Sequence, residues 1–210
     1  VITAGPTYEP IDPVRFIGNN SSGKMGIAIA KELEQRGAEV TLIIGPTQID
    51  ISENGISLVK VKTADEMYTA VTDRFAESDI TIMAAAVADY TPVAPAPEKI
   101  KKQAEHLTVE LVRTKDILKS LGEKKSKGQI LVGFALETTN EKQYAMDKLQ
   151  KKNADMIVLN SLNDTGAGFG YDTNKITIFE KGGQEFNFAT KSKKAVAKDI
   201  IDTIIRLYYA

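Results

Sequence analysis

From Gly5 to Lys24 the chain reads Gly-Pro-Thr-Tyr-Glu-Pro-Ile-Asp-Pro-Val-Arg-Phe-Ile-Gly-Asn-Asn-Ser-Ser-Gly-Lys. Asp12, Arg15, Asn19, Asn20, Ser21, Ser22 and Gly23 put a carboxylate, a guanidinium, amides and hydroxyls into one connection. Connections between a strand and a helix are usually a few residues long, and a longer one is usually functional. A helix opening at Ser21-Ser22-Gly23-Lys24 offers hydroxyls, unpaired backbone N–H groups and the positive end of its dipole to a phosphate or carboxylate. A plain serine cap after a long connection accounts for the same residues equally well. Further along, Ala84-Ala-Ala-Val-Ala-Asp-Tyr90 sets small residues and then Asp89 at the carboxyl end of a strand. There a ligand can approach the backbone closely; a tightly packed strand with a turn-forming Asp is the alternative. Lys99-Ile-Lys-Lys102 follows a proline-rich stretch and suits a loop closing over a polyphosphate, though lysine runs are more often solvated surface. Lys148 and Lys152 lie one helical turn apart and share a face. Gly166-Ala-Gly-Phe-Gly170, with Asp172 and Asn174 beyond, suits either an anion-hugging loop or a plain surface loop. His106 and Lys125 read as solvent-facing.

Other chemistries fall on composition. The 210 residues contain no cysteine and one histidine, which removes disulfides, thiolate nucleophiles, iron–sulfur clusters and a histidine metal cage. Lysine plus arginine (27) nearly balances aspartate plus glutamate (28), so charge argues for neither nucleic acid nor a membrane surface as partner. No apolar run is long enough to cross a bilayer. The G-x-G-x-x-G fingerprint is absent, and the strand ending at Ile44 is followed by Gly45-Pro46 rather than an acid for a ribose. Ser22-Gly23-Lys24 lacks the glycine spacing of a Walker A loop. The chain begins at Val1 with residues that already resemble strand interior, as expected of a piece of a longer protein.

The elements that must hold these residues alternate. Strands are predicted at Val1–Ala4, Glu39–Ile44, Ser57–Val61, Ile80–Val87, Ile130–Ala135 and Met156–Leu159, with helices at Lys24–Arg36, Ala64–Ala76, Asp116–Leu121, Glu141–Lys152 and Ser192–Tyr209. Thr63-Ala-Asp-Glu66 is a capping box. Leu107–Val112 reads as an extended edge strand, Thr91–Pro97 as neither helix nor central strand, and Lys175–Glu180 with Glu185–Phe188 as a hairpin turning at Lys181–Gln184. This alternation predicts an α/β protein with a doubly wound, mostly parallel, Rossmann-like or ribokinase-like sheet, in one domain spanning 1–210.

Several long strings, in collinear order over nearly the whole chain, are similar to phosphopantothenoylcysteine synthetase. They are Thr3–Thr7, Glu9–Arg15, Asn19 with Ser21–Gly26, Ala84–Tyr90, Lys99–Lys102, Val132–Thr138, Lys151–Asn153 and Gly166–Phe169. The resemblance implies a ligase of coenzyme A biosynthesis. The carboxylate of 4′-phosphopantothenate attacks the α-phosphorus of CTP, pyrophosphate leaves, and the amine of L-cysteine displaces CMP from the acyl-cytidylate. It implies Asn19 and Lys99 as catalytic, and Arg15, Asn19, Ala85 and Ala86 as substrate-binding. Nucleotide contacts fall on Ser21, Ser22, Gly23, Met83, Ala84, Ala85, Asp89, Lys99, Lys115, Asp116, Ile117, Leu118, Phe134, Lys148 and Lys152. It also implies Mg2+ or Mn2+ with Asp89 as ligand, a cytoplasmic homodimer joined by a β-ribbon, and an N-terminal flavoprotein decarboxylase domain outside this chain, hence no FMN here. The ribbon falls on the hairpin around Lys181–Gln184 or on Leu107–Val112. The residues alone do not choose CTP over ATP. A nicotinamide-dependent reductase and a non-catalytic nucleotide sensor are the competing readings.

Overall fold

A computed structural model describes residues 1–51, 55–102, 105–161 and 170–209. Strand β1 (Ile2–Ala4) leads into a small hairpin, β2 (Tyr8–Pro10) and β3 (Phe16–Gly18), then helix α1 (Lys24–Gln35) and strand β4 (Val40–Ile44). The overlong first connection is thus structured. Tyr8 and Phe16 stack across its two strands with ring centroids 3.8 Å apart. Next come β5 (Ile56–Lys60), α2 (Ala64–Phe75) and β6 (Ile80–Met83), followed by the ribbon β7 (Tyr90–Pro92) and β8 (Leu111–Arg113). After α3 (Ile117–Lys124), β9 (Ile130–Glu137), α4 (Glu141–Lys151) and β10 (Met156–Ser161), the chain adds β11 (Thr173–Asn174), β12 (Ile176–Glu180), β13 (Glu185–Asn187), β14 (Lys191–Ser192) and α5 (Lys193–Tyr208).

The central sheet has the order β13-β12-β10-β9-β6-β1-β4-β5. Its six strands from β10 to β5 are parallel, and β12 and β13 add antiparallel at one edge. Parallel strands need both faces covered, and alternate residues serve the two sides. Leu42 and Ile44 face the cluster built with α1 and α5, where Ile29, Ile200 and Ile204 are fully buried. Ile43 faces the cluster built with α2, α3 and α4, around Met67, Leu121 and Leu149. The capping box of α2 forms as predicted: Thr63 accepts from the Glu66 backbone N–H, and the Glu66 carboxylate reaches back.

Two predicted elements are corrected. The strand expected over Ile80–Val87 ends at Met83, because its neighbour β1 ends one residue beyond the Thr3–Met83 pairing. The backbone of Ala85–Ala88 instead bonds to the connection after β1, as described below. The edge strand expected over Leu107–Val112 is shifted to Leu111–Arg113 and pairs with Tyr90–Pro92 outside the central sheet. Pro92 sits at the end of this two-stranded ribbon, where a missing N–H costs little. The hairpin around Lys181–Gln184 forms as predicted and makes one edge of the central sheet.

Candidate active site

Reading the parallel strands as β5-β4-β1-β6-β9-β10, the direction of winding reverses between β1 and β6. In open α/β sheets the crevice beyond the carboxyl ends at that reversal is the ligand site. A cleft of 1270 Å³ opens there. That exceeds the 300–1,000 Å³ usual for one drug-sized ligand, so two reactants fit side by side.

One wall is the start of α1. The serine cap, one of the two readings of this helix start, is not formed: the N-cap is Gly23, in a left-handed conformation (φ 80°), with no side chain capping the helix. Ser21 accepts from the Gly23 N–H at 3.4 Å. The first turn, Gly23 to Gly26, lines the cleft, so its backbone donors and the dipole's positive end belong to the site. Gly26 sets how closely α1 approaches β1. A Cβ there would lie 2.6 Å from the Ala4 Cβ and 2.9 Å from the Thr3 carbonyl oxygen.

The floor is the Ala84–Asp89 segment, held along the connection after β1. Ala86 N–H donates to the Gly5 carbonyl at 2.9 Å, Ala85 N–H to Thr3 Oγ1 at 3.1 Å and Ala88 N–H to Thr7 Oγ1 at 2.9 Å. Their small side chains make that closeness possible. Asn19 lies across this segment, its Nδ2 donating to the carbonyls of Ala86 (2.9 Å) and Val87 (3.3 Å).

The opposite wall comes from β9, α3 and α4. Lys148 donates to the Phe134 carbonyl at 2.8 Å. Burial pushes its ammonium below the ordinary lysine range; Glu137, Asp116 and Asp89 partly offset this, and Lys152 adds to it. Lys152 pairs with Asp116, the N-cap of α3, which also accepts from the Lys119 N–H. Burial pushes the Asp116 carboxyl up, but the bonds from Lys152 and Lys119 outweigh it and leave the group below its ordinary value. Lys115 bonds Asp65 at 2.7 Å and lies over the Tyr68 ring, 4.8 Å from its centroid. Ile117 and Leu118 are buried beneath.

Eight cationic side chains line the cleft against four acidic ones, in a chain of net charge −1. Positive charge is therefore concentrated here and compensated elsewhere, the field an anionic ligand needs. Two further lining residues, Lys193 and Asn160, had no signal of this role in the sequence, and they join Lys24 and Asn174 there. Lys24 pairs with Asp172 at 2.6 Å, Lys193 is buried and donates to the Tyr171 carbonyl, and Asn174 bonds Asn160 at 3.0 Å. Lys193, Asn160 and Asn174 come from the last quarter of the chain, and the packing of α5 on α1, with Asn174 bonded to Asn160 of β10, brings them in.

All the expected contacts line the cleft except Arg15 and Lys99. Arg15 is engaged with Asp12 and the Ile100 carbonyl, and Lys99 is exposed nearby. Lys125, expected in solvent, instead has a side chain 9% exposed and paired with Asp155. His106 is exposed as read. Gly166–Phe169 lie outside the described residues. Among the described residues no three or more His, Asp or Glu side chains gather as a metal cage. Asp89 is exposed on the lining, a donor set that fits Mg2+ carried mainly by phosphate oxygens.

The chain belongs to the family of DNA/pantothenate metabolism flavoprotein C-terminal domains, whose profile matches residues 1–208. It is 50% identical over 207 residues to coenzyme A biosynthesis bifunctional protein CoaBC of Bacillus subtilis (strain 168), covering 99% of this chain and 51% of that protein. It is 51% identical over 208 residues to a protein of an unknown prokaryotic organism named cysteine/cysteine sulfinic acid decarboxylase, covering 99% of this chain and 58% of that one. The chain thus spans little more than half the length of these relatives. The crystal structure of the C-terminal domain of CoaBC superposes with a TM-score of 0.83 at 44% identity, covering 98% of this chain and 93% of that one. The expected α/β fold and the resemblance read in the sequence both hold.

Proposed function

We propose that the chain is the phosphopantothenate–cysteine ligase portion of a coenzyme A biosynthesis protein. The observation that carries this reading is one cation-rich cleft joining the uncapped start of α1, the Ala84–Asp89 floor and the lysines of α4, in a chain that matches about half the length of CoaBC.

In this reading CTP lies across the reversal between β1 and β6. Lys148, Lys152 and Lys115 neutralise and orient it on the α3–α4 side, and Phe134, Ile117 and Leu118 supply apolar surface. Ser21, Ser22 and the N–H groups of α1 hold phosphate oxygens as charge shifts onto the leaving pyrophosphate. The substrate carboxylate, held over Ala85 and Ala86, attacks the α-phosphorus. A free carboxylate resists amines; the mixed anhydride carries CMP as a good leaving group. Asn19, beside Ala86, then donates to the acyl oxygen while the cysteine amine attacks, the amide forms and CMP departs. Arg15 takes the phosphate of 4′-phosphopantothenate and Lys99 the polyphosphate, both from outside the present lining. A divalent cation, Mg2+ or Mn2+, would be held by Asp89 together with the phosphates and would supply charge neutralisation.

The assembly belongs to the same proposal: a cytoplasmic homodimer joined through the β7–β8 ribbon, where Val93, Leu107, Leu111 and Val112 are exposed, preceded in the full protein by a decarboxylase domain. The deciding assay is pyrophosphate release. It should require CTP and 4′-phosphopantothenate together, with amide appearing only when cysteine is added. Thermal stabilisation by CTP, but not by NADPH, should accompany it; stabilisation by NADPH alone would overturn the ligase.

A further inference from the structure

Asp12 accepts five hydrogen bonds, and the chemistry above does not use it. Its side chain is 0% exposed. Oδ1 accepts from the N–H groups of Val14 and Arg15, both at 2.8 Å. Oδ2 accepts from Arg15 Nε at 2.9 Å, from Arg15 Nη2, and from the N–H of Ile100 at 3.1 Å. The same Nη2 donates to the Ile100 carbonyl at 2.9 Å. Arg15 and the Ile100 N–H therefore close on one carboxylate, and the Ile100 carbonyl accepts from the same guanidinium. Four residues earlier, the Ala96 N–H donates to the Ile11 carbonyl at 2.9 Å. The path from the proline-rich stretch to Lys102 is thus tied twice to the β2–β3 hairpin. Lys99 and Lys101 flank the tied residue directly.

We propose that Asp12 is a positioning residue that locks Arg15 and the Lys99–Lys102 segment into one unit, so that the hairpin decides where Lys99 meets the nucleotide. This goes beyond the ligase reading but rests on it for what Lys99 meets. Arg15 and Lys99, read from the sequence as serving different ligands, become mechanically coupled. The guanidinium beside Asp12 holds its carboxyl well below the usual carboxylate range, so the clasp stays charged throughout the neutral range.

The test uses two variants and two readouts. Asp12→Asn places an amide NH2 where Oδ2 accepted three donors. Ile100→Pro deletes the backbone donor, fixes φ at that position and leaves Asp12 and Arg15 intact. In the ligand-free chain, tryptic cleavage after Lys101 and Lys102 should rise on the order of tenfold in both variants, relative to cleavage after the exposed Lys127, because the segment opens more often. In the ligation assay, the KM for CTP should rise in both while the KM for cysteine stays constant. If Asp12→Asn fails to fold, Ile100→Pro decides alone. Unchanged cleavage in Ile100→Pro overturns the clasp. Raised cleavage with an unchanged KM for CTP overturns the positioning role. Raised cleavage in a chain whose wild type never consumes CTP supports the clasp and removes the ligase reading instead.

Discussion

At the residue scale, Asn19 and Lys148 carry the sharpest expectations. Asn19 reaches the Ala86 and Val87 carbonyls through its NH2, so it stands where an acyl group over the alanine floor would lie. Asn19→Asp keeps the volume, loses the donor and adds negative charge beside the phosphate. The acyl-cytidylate and pyrophosphate should still form, while transfer to cysteine slows by about 10²–10³-fold, the usual cost of one donor to a developing oxyanion. Rapid quench with and without cysteine reads this directly. An intermediate that never accumulates, with amide formed at the normal rate, removes Asn19 from the second step.

Lys148 makes a pH prediction. Burial depresses its pKa, so the ammonium loses its proton at a lower pH than an ordinary lysine, near 10.4. The charged form is the useful one, so kcat/KM for CTP should fall on the alkaline side before the normal lysine range. A bound triphosphate favours the charged form, so kcat should hold to higher pH than kcat/KM, which reports the free enzyme. Lys148→Arg keeps its charge and should move the alkaline limb of kcat/KM upward. An unmoved limb assigns the titration to another group.

At the element scale, the contact between α1 and β1 aims the first-turn donors into the cleft. Gly26→Ala drives a methyl to 2.6 Å from Ala4 and 2.9 Å from the Thr3 carbonyl. Neither neighbour is a flexible side-chain end, so α1 must lift. The overpacking should cost about 1–3 kcal/mol, measured by urea denaturation. Because α1 moves as a body, nucleotide affinity should fall as well. A variant that loses stability but binds CTP normally would show that the helix start is not a phosphate site.

At the scale of the whole molecule, the parallel sheet is closed on one edge by the β12–β13 hairpin, while the β7–β8 ribbon stands apart with Leu111 42% and Val112 50% exposed. The ribbon packs on β2 through β7 and leaves the β8 side chains exposed. A second copy is the covering we propose. Leu111→Asp with Val112→Asp should shift sedimentation from dimer to monomer at micromolar concentration. A wild type that sediments as a monomer would remove the ribbon interface.

Much of this was legible from local order. The alternation of buried runs such as Ile130–Ala135 with periodic helices determined the doubly wound class, because strands buried on both faces and helices with one apolar stripe have few other ways to pack. Thr63–Glu66 determined a helix start through its own hydrogen bonds, and strings such as Ala84–Tyr90 determined the family. The tertiary structure decided what depends on neighbours distant in sequence. Ile80–Val87 stops being a strand at Met83 because β1 ends beside it. Lys125 leaves solvent because Asp155 is brought against it. Lys193 and Asn174 join the cleft because α5 packs beside α1. Arg15 is drawn off the cleft lining because one buried carboxylate, Asp12, accepts from both Arg15 and the backbone of Ile100. Hydrogen-bond partners and burial are properties of pairs, and a pair separated by 88 residues, such as Asp12 and Ile100, leaves no mark on the sequence around either.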